Sequence, residues 1–502
     1  MHPSFSRRTQ SGLVLVSMLL FLSSGALAED KVFEESWFGL YMMGGKIGWS
    51  HDKTLRGERD GKEVFITMNE QKIEMARMGT TIKIESSSEV VEDEEGNLIS
   101  FKSVSRQSTV DKELRGEVID GKIRLVRSMS GIEQPAKEID LAPGMLPPEA
   151  LDRLMKKKGL EKGTKYTVKG FDPSMPETAI PMDIEVKGKE EVDILGTSRT
   201  LVRVDTKMTA QGMRVLMKTW VDENWDTWKM NQMGQIDIVR MPEVLAKKKG
   251  KVTEVFNQTI IPADRKIENA REARRLRFRL EHTEGAEFTD FPSGDRQKIL
   301  SQGKGFIEIE IKAADVEEGE IRPVQKEGFE SYLASTPYLQ SDDERIQDII
   351  KKTVWDEVDS LKTAKKLERW VCVNIQKKNM GVGFATAAEV AKNLEGDCSE
   401  HGVLLAALCR AAGIPSRVVG GLVYADVLAP QTSEGKGGFG FHMWTEAYVG
   451  EWIALDATLG HGFADATHIA LARSALEKEA SMFELMPIGK YMGKLEIKVL
   501  QD

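Results

Sequence analysis

The stretch between residues 395 and 460 constrains this chain more than any other. It opens on Glu395-Gly396-Asp397-Cys398-Ser399-Glu400-His401-Gly402 and continues through Gly413-Ile414-Pro415-Ser416-Arg417 and His442-Met443-Trp444-Thr445-Glu446. It ends on Trp452-Ile453-Ala454-Leu455-Asp456-Ala457-Thr458. Asp397 reads as a helix N-cap with Glu400 as its reciprocal partner. Val403, Leu404, Ala407 and Leu408 then recur at helical spacing, and Gly413 followed by Pro415 stops the helix. Cys398 therefore falls in the first helical turn, where the helix dipole and backbone N–H groups favour a thiolate. The blander role, a buried thiol acting as a small apolar residue, suits Cys372 and Cys409 better, since both sit among Val, Leu, Ala and Trp.

A Cys, a His and an Asp follow one another here, as a thiol nucleophile, its base and the base's orienter require. His442 to Val449 alternates like a strand, Gly450-Glu451 turns, and Trp452 to Asp456 returns. Side chains alternate faces with a period of two, so a plain two-residue turn would separate His442 from Asp456. A three-residue turn over Val449, Gly450 and Glu451, or a bulge, sets Asp456 opposite Trp444 and diagonal to His442 on one face. The reading requires that odd-length turn. His401 is a rival base, but it lies on the helix of Cys398 itself and does not face the thiol across a cleft.

These blocks also resemble the transglutaminase-like superfamily. The resemblance rests on Gly396-Asp397-Cys398, on Leu408-Cys409-Arg410-Ala411-Ala412-Gly413-Ile414-Pro415-Ser416-Arg417, and on the His442 and Asp456 segments quoted above. It covers about residues 340 to 490; Ala457 departs from the Pro found in many relatives. The resemblance implies a papain-like fold with Cys398 as nucleophile, His442 as base and Asp456 as orienter. It leaves the reaction open, because relatives include acyl transferases, peptidases, amide hydrolases and inactive members.

The rest of the chain reads as support. Arg7-Arg8, an apolar run from Gly12 to Leu22 and Ala26-Leu27-Ala28 mark residues 1–28 as a cleaved secretory signal peptide. The formal net charge of −9 becomes −11 without Arg7 and Arg8, which argues against nucleic acid as a partner. Three cysteines in an exported chain are an odd number. With Cys398 reactive, Cys372 and Cys409 read as two buried thiols rather than a disulfide. Residues 29–255 are β-rich, with turn signals such as Ile119-Asp120-Gly121-Lys122, and read as a large antiparallel sheet or open barrel. Residues 256–335 read as a small β domain of sandwich type, and 336–502 as the catalytic domain. In that last part Ile346, Ile349, Ile350 and Val354 form one helical stripe, and Leu361, Ala364, Leu367, Val371 and Ile375 another.

The fold class is thus α+β, a papain-like or transglutaminase-like C-terminal domain preceded by β-rich domains. The expected function is an exported cysteine acyltransferase, peptidase or amidase, working on carboxamide or peptide bonds through an acyl-enzyme. Catalytic residues are Cys398, His442 and Asp456, with Trp444 and Trp370 as cleft-wall residues against substrate. His461 and His468 match no zinc spacing, so neither metal nor cofactor is expected. The expected partner is a protein or peptide of the cell envelope, met in the periplasm or outside the cell, with no membrane span after signal cleavage. The alternative is a non-catalytic envelope binding or scaffolding protein on the same fold.

Overall fold

The computed structural model describes residues 30–501 apart from 43, 60, 78–79, 108–109, 130, 211–212, 251–252, 255–258, 377–384, 432–434, 478–488 and 490. The signal peptide expected over residues 1–28 lies outside the described residues.

Residues 31–254 build one sheet of 17 strands. Its first half is a seven-strand meander from Lys31–Met42 to Lys122–Met129, each strand antiparallel to the one before. Asp120 and Gly121 take positive φ between the paired Ile119 and Lys122, which is what a two-residue hairpin turn demands. A second meander from Lys165–Gly170 to Ile236–Arg240 joins the first where Ile236–Arg240 pairs with Lys31–Met42. The two wings fold toward each other. Phe171 of the second packs edge-on against Phe101 of the first at 5.1 Å, and the Glu149 and Ala150 N–H groups of helix Pro148–Lys158 donate to the buried Glu92 carboxylate.

The reading of residues 256–335 as a separate sandwich domain is corrected by the strand pairing. Arg275–His282 pairs on one side with Phe306–Lys312 and on the other with Leu495–Gln501, from the far end of the chain. Gln297–Gly303 completes a single four-stranded sheet. Leu276, Phe278 and Leu280 alternate inward beside Ile307, Ile309 and Ile311. That apolar face needs a cover, and Leu422, Tyr424, Phe439 and Ile469 of the C-terminal unit supply it. Ile261–Pro262 is itself a strand of the C-terminal sheet. One core therefore runs across the expected boundary at 335.

The C-terminal unit sets helices against a sheet. Helices Glu344–Thr353, Ser360–Asn374, Ala387–Asn393 and Cys398–Ala411 start on side-chain caps from Asp343, Asp359, Thr386 and Asp397. Ile346, Ile349, Ile350, Leu361, Ala364, Leu367 and Val371 bury around Val403 to Leu408 of the last helix. In the sheet, Ser416–Ala425 lies between Gly438–Tyr448 and Ile469–Ser474, and Trp452–Leu455 pairs with Gly438–Tyr448. Among the described residues no helix is long and apolar enough to cross a membrane.

Candidate active site

Cys398 is the first residue of its helix and 9% exposed. Below it the capping box is complete: Asp397 accepts from the Ser399 N–H and hydroxyl, and Glu400 accepts from the Asp397 and Ala385 N–H groups. Burial, and the charge of Asp397, push Glu400 up to about 8. The helix is tied to the sheet farther along, where the Thr445 hydroxyl donates to the Gly402 carbonyl at 2.8 Å.

The hairpin has the odd-length turn. Tyr448 pairs with Trp452 and Thr445 with Leu455, so Val449, Gly450 and Glu451 form a three-residue loop. Continuing that register sets Asp456 opposite Trp444, one step along from His442. His442 Nε2 lies 2.8 Å from Asp456 Oδ2, and the same imidazole hydrogen-bonds to Cys398. Burial pulls the His442 proton affinity down, but the charges of Asp456 and Cys398 and the hydrogen bonds to both raise it to about 10. Asp456 is 2% exposed. Burial disfavours its charge, yet the two imidazoles of His442 and His468 hold it well below the usual carboxylate range. Its other oxygen, Oδ1, accepts from the Thr458 and Leu459 N–H groups. Cys398, His442 and Asp456 are thus brought into one hydrogen-bonded line.

Three residues around this line had no place in it from the sequence, His468 having been weighed only as a metal ligand. His468 is buried, with Nε2 3.1 Å from Asp456 Oδ2 and Nδ1 3.2 Å from Asp465 Oδ1. Glu368, from helix Ser360–Asn374, is 3% exposed and accepts from the Gly462 N–H. Burial raises it to about 7, with the Asp456 charge adding to the effect. Arg296, in the bend just before strand Gln297–Gly303, donates to the carbonyls of His468 and Asp465. No sequence spacing links these three to Cys398, since long-range packing alone brings them together.

The other expected residues fall elsewhere. Trp444, read as a cleft-wall residue, is 1% exposed, edge-on to the His468 ring at 5.3 Å and near-parallel to the His442 ring. Its six-membered ring fills the space over Gly421, which faces it with no side chain. Trp370 is half-buried against the helical core. His401 sends Nδ1 to the Asp397 carbonyl of its own helix at 2.6 Å, and His461 is exposed. Cys372, Cys398 and Cys409 are all thiols, and burial pushes Cys409 up to about 12. Among the described residues, His442, Asp456 and His468 are the one group whose ligand atoms cluster as a metal site requires, within 4.8 Å of one another. The two nitrogen–oxygen distances given above are those of direct N–H···O hydrogen bonds.

Known proteins resemble parts of this chain. An uncharacterized protein of Haemophilus influenzae is 29% identical over 97 residues, 18% of this chain and 26% of that protein, so the chain spans about a quarter of the curated relative it matches. Among solved structures, a protein named as a candidate cysteine protease from Cytophaga hutchinsonii is 19% identical, with a TM-score of 0.29, over 40% of this chain and 79% of that one. A β-barrel-like protein of unknown function from Brucella abortus is 14% identical with the same TM-score, over 43% of this chain and 98% of that one. A candidate protease from Parabacteroides distasonis is 10% identical with a TM-score of 0.19, over 69% of this chain and 64% of that one. The family model described as the transglutaminase-like superfamily matches residues 347–457, a span holding Cys398, His442 and Asp456. Residues 347–457 of this chain are therefore a domain of the transglutaminase-like superfamily.

Proposed function

We propose that the chain is a thiol enzyme that opens carboxamide or peptide bonds through an acyl-enzyme on Cys398. One observation carries the reading: a single imidazole, His442, joins a thiol at a helix N-terminus to a buried carboxylate. In the first step the Cys398 sulfur bonds to the carboxamide carbon, and the carbonyl electron pair moves onto oxygen. The Cys398 N–H, in the first helical turn, is the oxyanion donor of this scheme. Collapse breaks the carbon–nitrogen bond, and the leaving amine takes its proton from His442. In the second step water or a primary amine attacks the thioester, His442 takes up the proton, and the thiolate departs. Asp456 keeps the imidazole in the tautomer that faces the sulfur. The signal peptide read in residues 1–28 makes envelope proteins or peptides the proposed substrates.

The test uses the mature protein and its Cys398→Ala variant, each incubated with a glutamine-bearing protein and a tagged primary amine. Mass spectrometry then reads the products. Tag incorporation that depends on Cys398 identifies acyl transfer; deamidation or chain cleavage identifies hydrolysis. Identical products from both proteins across varied substrates would overturn the enzyme reading and leave the scaffold.

A further inference from the structure

Asp456 has two imidazoles on one oxygen. His442 and His468 both place Nε2 at Oδ2, at 2.8 and 3.1 Å. The far side of His468 is not left to solvent or to a backbone carbonyl. Its Nδ1 meets a second carboxylate, Asp465, whose other oxygen takes an ion pair from Arg271 at 2.8 Å. Asp465 Oδ1 also accepts from the Thr467 N–H and hydroxyl. The His468 ring thus bridges two buried carboxylates that already act as acceptors toward other donors.

An ionised carboxylate can only accept. A neutral imidazole presents one N–H and one lone pair, so it would aim that lone pair at one of these oxygens. Facing carboxylates on both sides, the ring is satisfied only when both nitrogens carry protons. Asp465 keeps its charge through the Arg271 ion pair on Oδ2 and the two Thr467 donors on Oδ1, so it supplies no proton to relieve the clash. We infer that His468 is a positioning residue of the same site, a doubly protonated imidazole that shares the Asp456 carboxylate with His442 and so sets how firmly His442 keeps its proton.

This inference rests on the thiol–imidazole reading above. The charged and titratable groups facing the pair are Cys398 on its helix, Glu368 on the neighbouring helix, Asp465 beside the loop, and Arg271 and Arg296 from the middle segment. Without the second imidazolium, Asp456 would lend its full charge to His442. The base would then hold its proton more tightly, at a cost to the first step, in which that proton must pass to the leaving amine. With it, the carboxylate is shared and His442 releases its proton more readily.

The experiment is alkylation of Cys398 by iodoacetamide as a function of pH, with peptide mapping to separate it from Cys372 and Cys409. It compares the intact protein with His468→Gln and with Asp465→Asn. Loss of one cation raises the proton affinity of every neighbour. The ring centroids of His442 and His468 are 6.0 Å apart, so the profile of His468→Gln is expected to move to higher pH by about one to two units, the effect of one charge at an effective dielectric constant of about 20. Asp465→Asn, which removes the partner of the second proton but keeps the ring, is expected to shift it the same way by less. It also serves if His468→Gln does not fold. A wild-type profile of an ordinary unpaired thiol would overturn both the thiol–imidazole reading and this inference. A paired wild-type profile that neither substitution moves would overturn this inference alone. One zinc per chain, lost in His468→Gln, would also overturn it by making the cluster a metal site.

Discussion

Replacing Glu368 by Gln tests whether this buried carboxyl is held neutral beside Asp456. Glu368 is raised from 4.5 to about 7 by burial, by a margin that the Gly462 N–H only partly offsets. A raised acid binds its proton more tightly in the folded chain than in the unfolded one. Between pH 4.5 and 7 the native state therefore carries the extra proton, and stability falls as pH rises through that window. At about 1.4 kcal/mol per unit, the full shift amounts to about 3 kcal/mol lost by pH 8. Gln has the shape of the protonated acid and keeps an oxygen for the Gly462 N–H, but it has no charge to bury. Urea unfolding at pH 4, 6 and 8 gives the assay, read as the difference between variant and parent so that the other carboxylates cancel. The two proteins are expected to match at pH 4 and to diverge in favour of Glu368→Gln by about 2–3 kcal/mol at pH 8. Parallel curves would refute the reasoning, because they would mean that Glu368 ionises as easily in the fold as in water.

Two further substitutions probe how the site is held. Arg296→Met removes the donors to the His468 and Asp465 carbonyls; each buried carbonyl left without a donor costs about 1–3 kcal/mol, so the urea midpoint should drop sharply. An unchanged midpoint would show that the middle segment does not brace the site. Gly421→Ala would place a Cβ 2.1 Å from the Ile469 carbonyl oxygen and 2.6 Å from the Trp444 ring. A backbone atom cannot yield as a side chain can, so a loss of about 1–3 kcal/mol is expected, with slower Cys398 alkylation as the strand beside His468 moves; thermal unfolding and the alkylation rate are the two readings.

Local signals were strong where the chain's own neighbours decide the structure. The capping box of Asp397 and Glu400 is a four-residue pattern, and the structure forms it as written. The hairpin register followed from period-two alternation, because only an odd loop lets His442 and Asp456 share a face. The same logic failed where distant segments meet. Nothing in the sequence of Leu495–Gln501 names Arg275–His282, more than 200 residues earlier, as its partner. Residues 256–335 read as a small sandwich domain, and the apolar face of their sheet does need a cover. The cover came from Leu422, Phe439 and Ile469 instead of a second local sheet. His468 escaped for a related reason: a lone His after a strand break carries no spacing signal, and its meaning depends on the two carboxylates that the fold sets on either side.

Those failures bear on how the site works. A superfamily core supplies Cys398, His442 and Asp456 from within residues 347–457. The groups that fix Asp456 and its surroundings come partly from beyond that span: His468 and Asp465 follow it, while Arg271 and Arg296 precede it. Gln297 exchanges hydrogen bonds with Ala470 in both directions, so the four-stranded sheet grips the strand just after His468 at backbone level. A unit excised at the limits of the matched family would keep Cys398, His442 and Asp456 and lose the groups beyond it that hold Asp456. For the enzyme proposed above, a misplacement of about 1 Å can cost about a hundredfold in rate. The middle sheet and the C-terminal strand are therefore better regarded as parts of the site than as appendages to it.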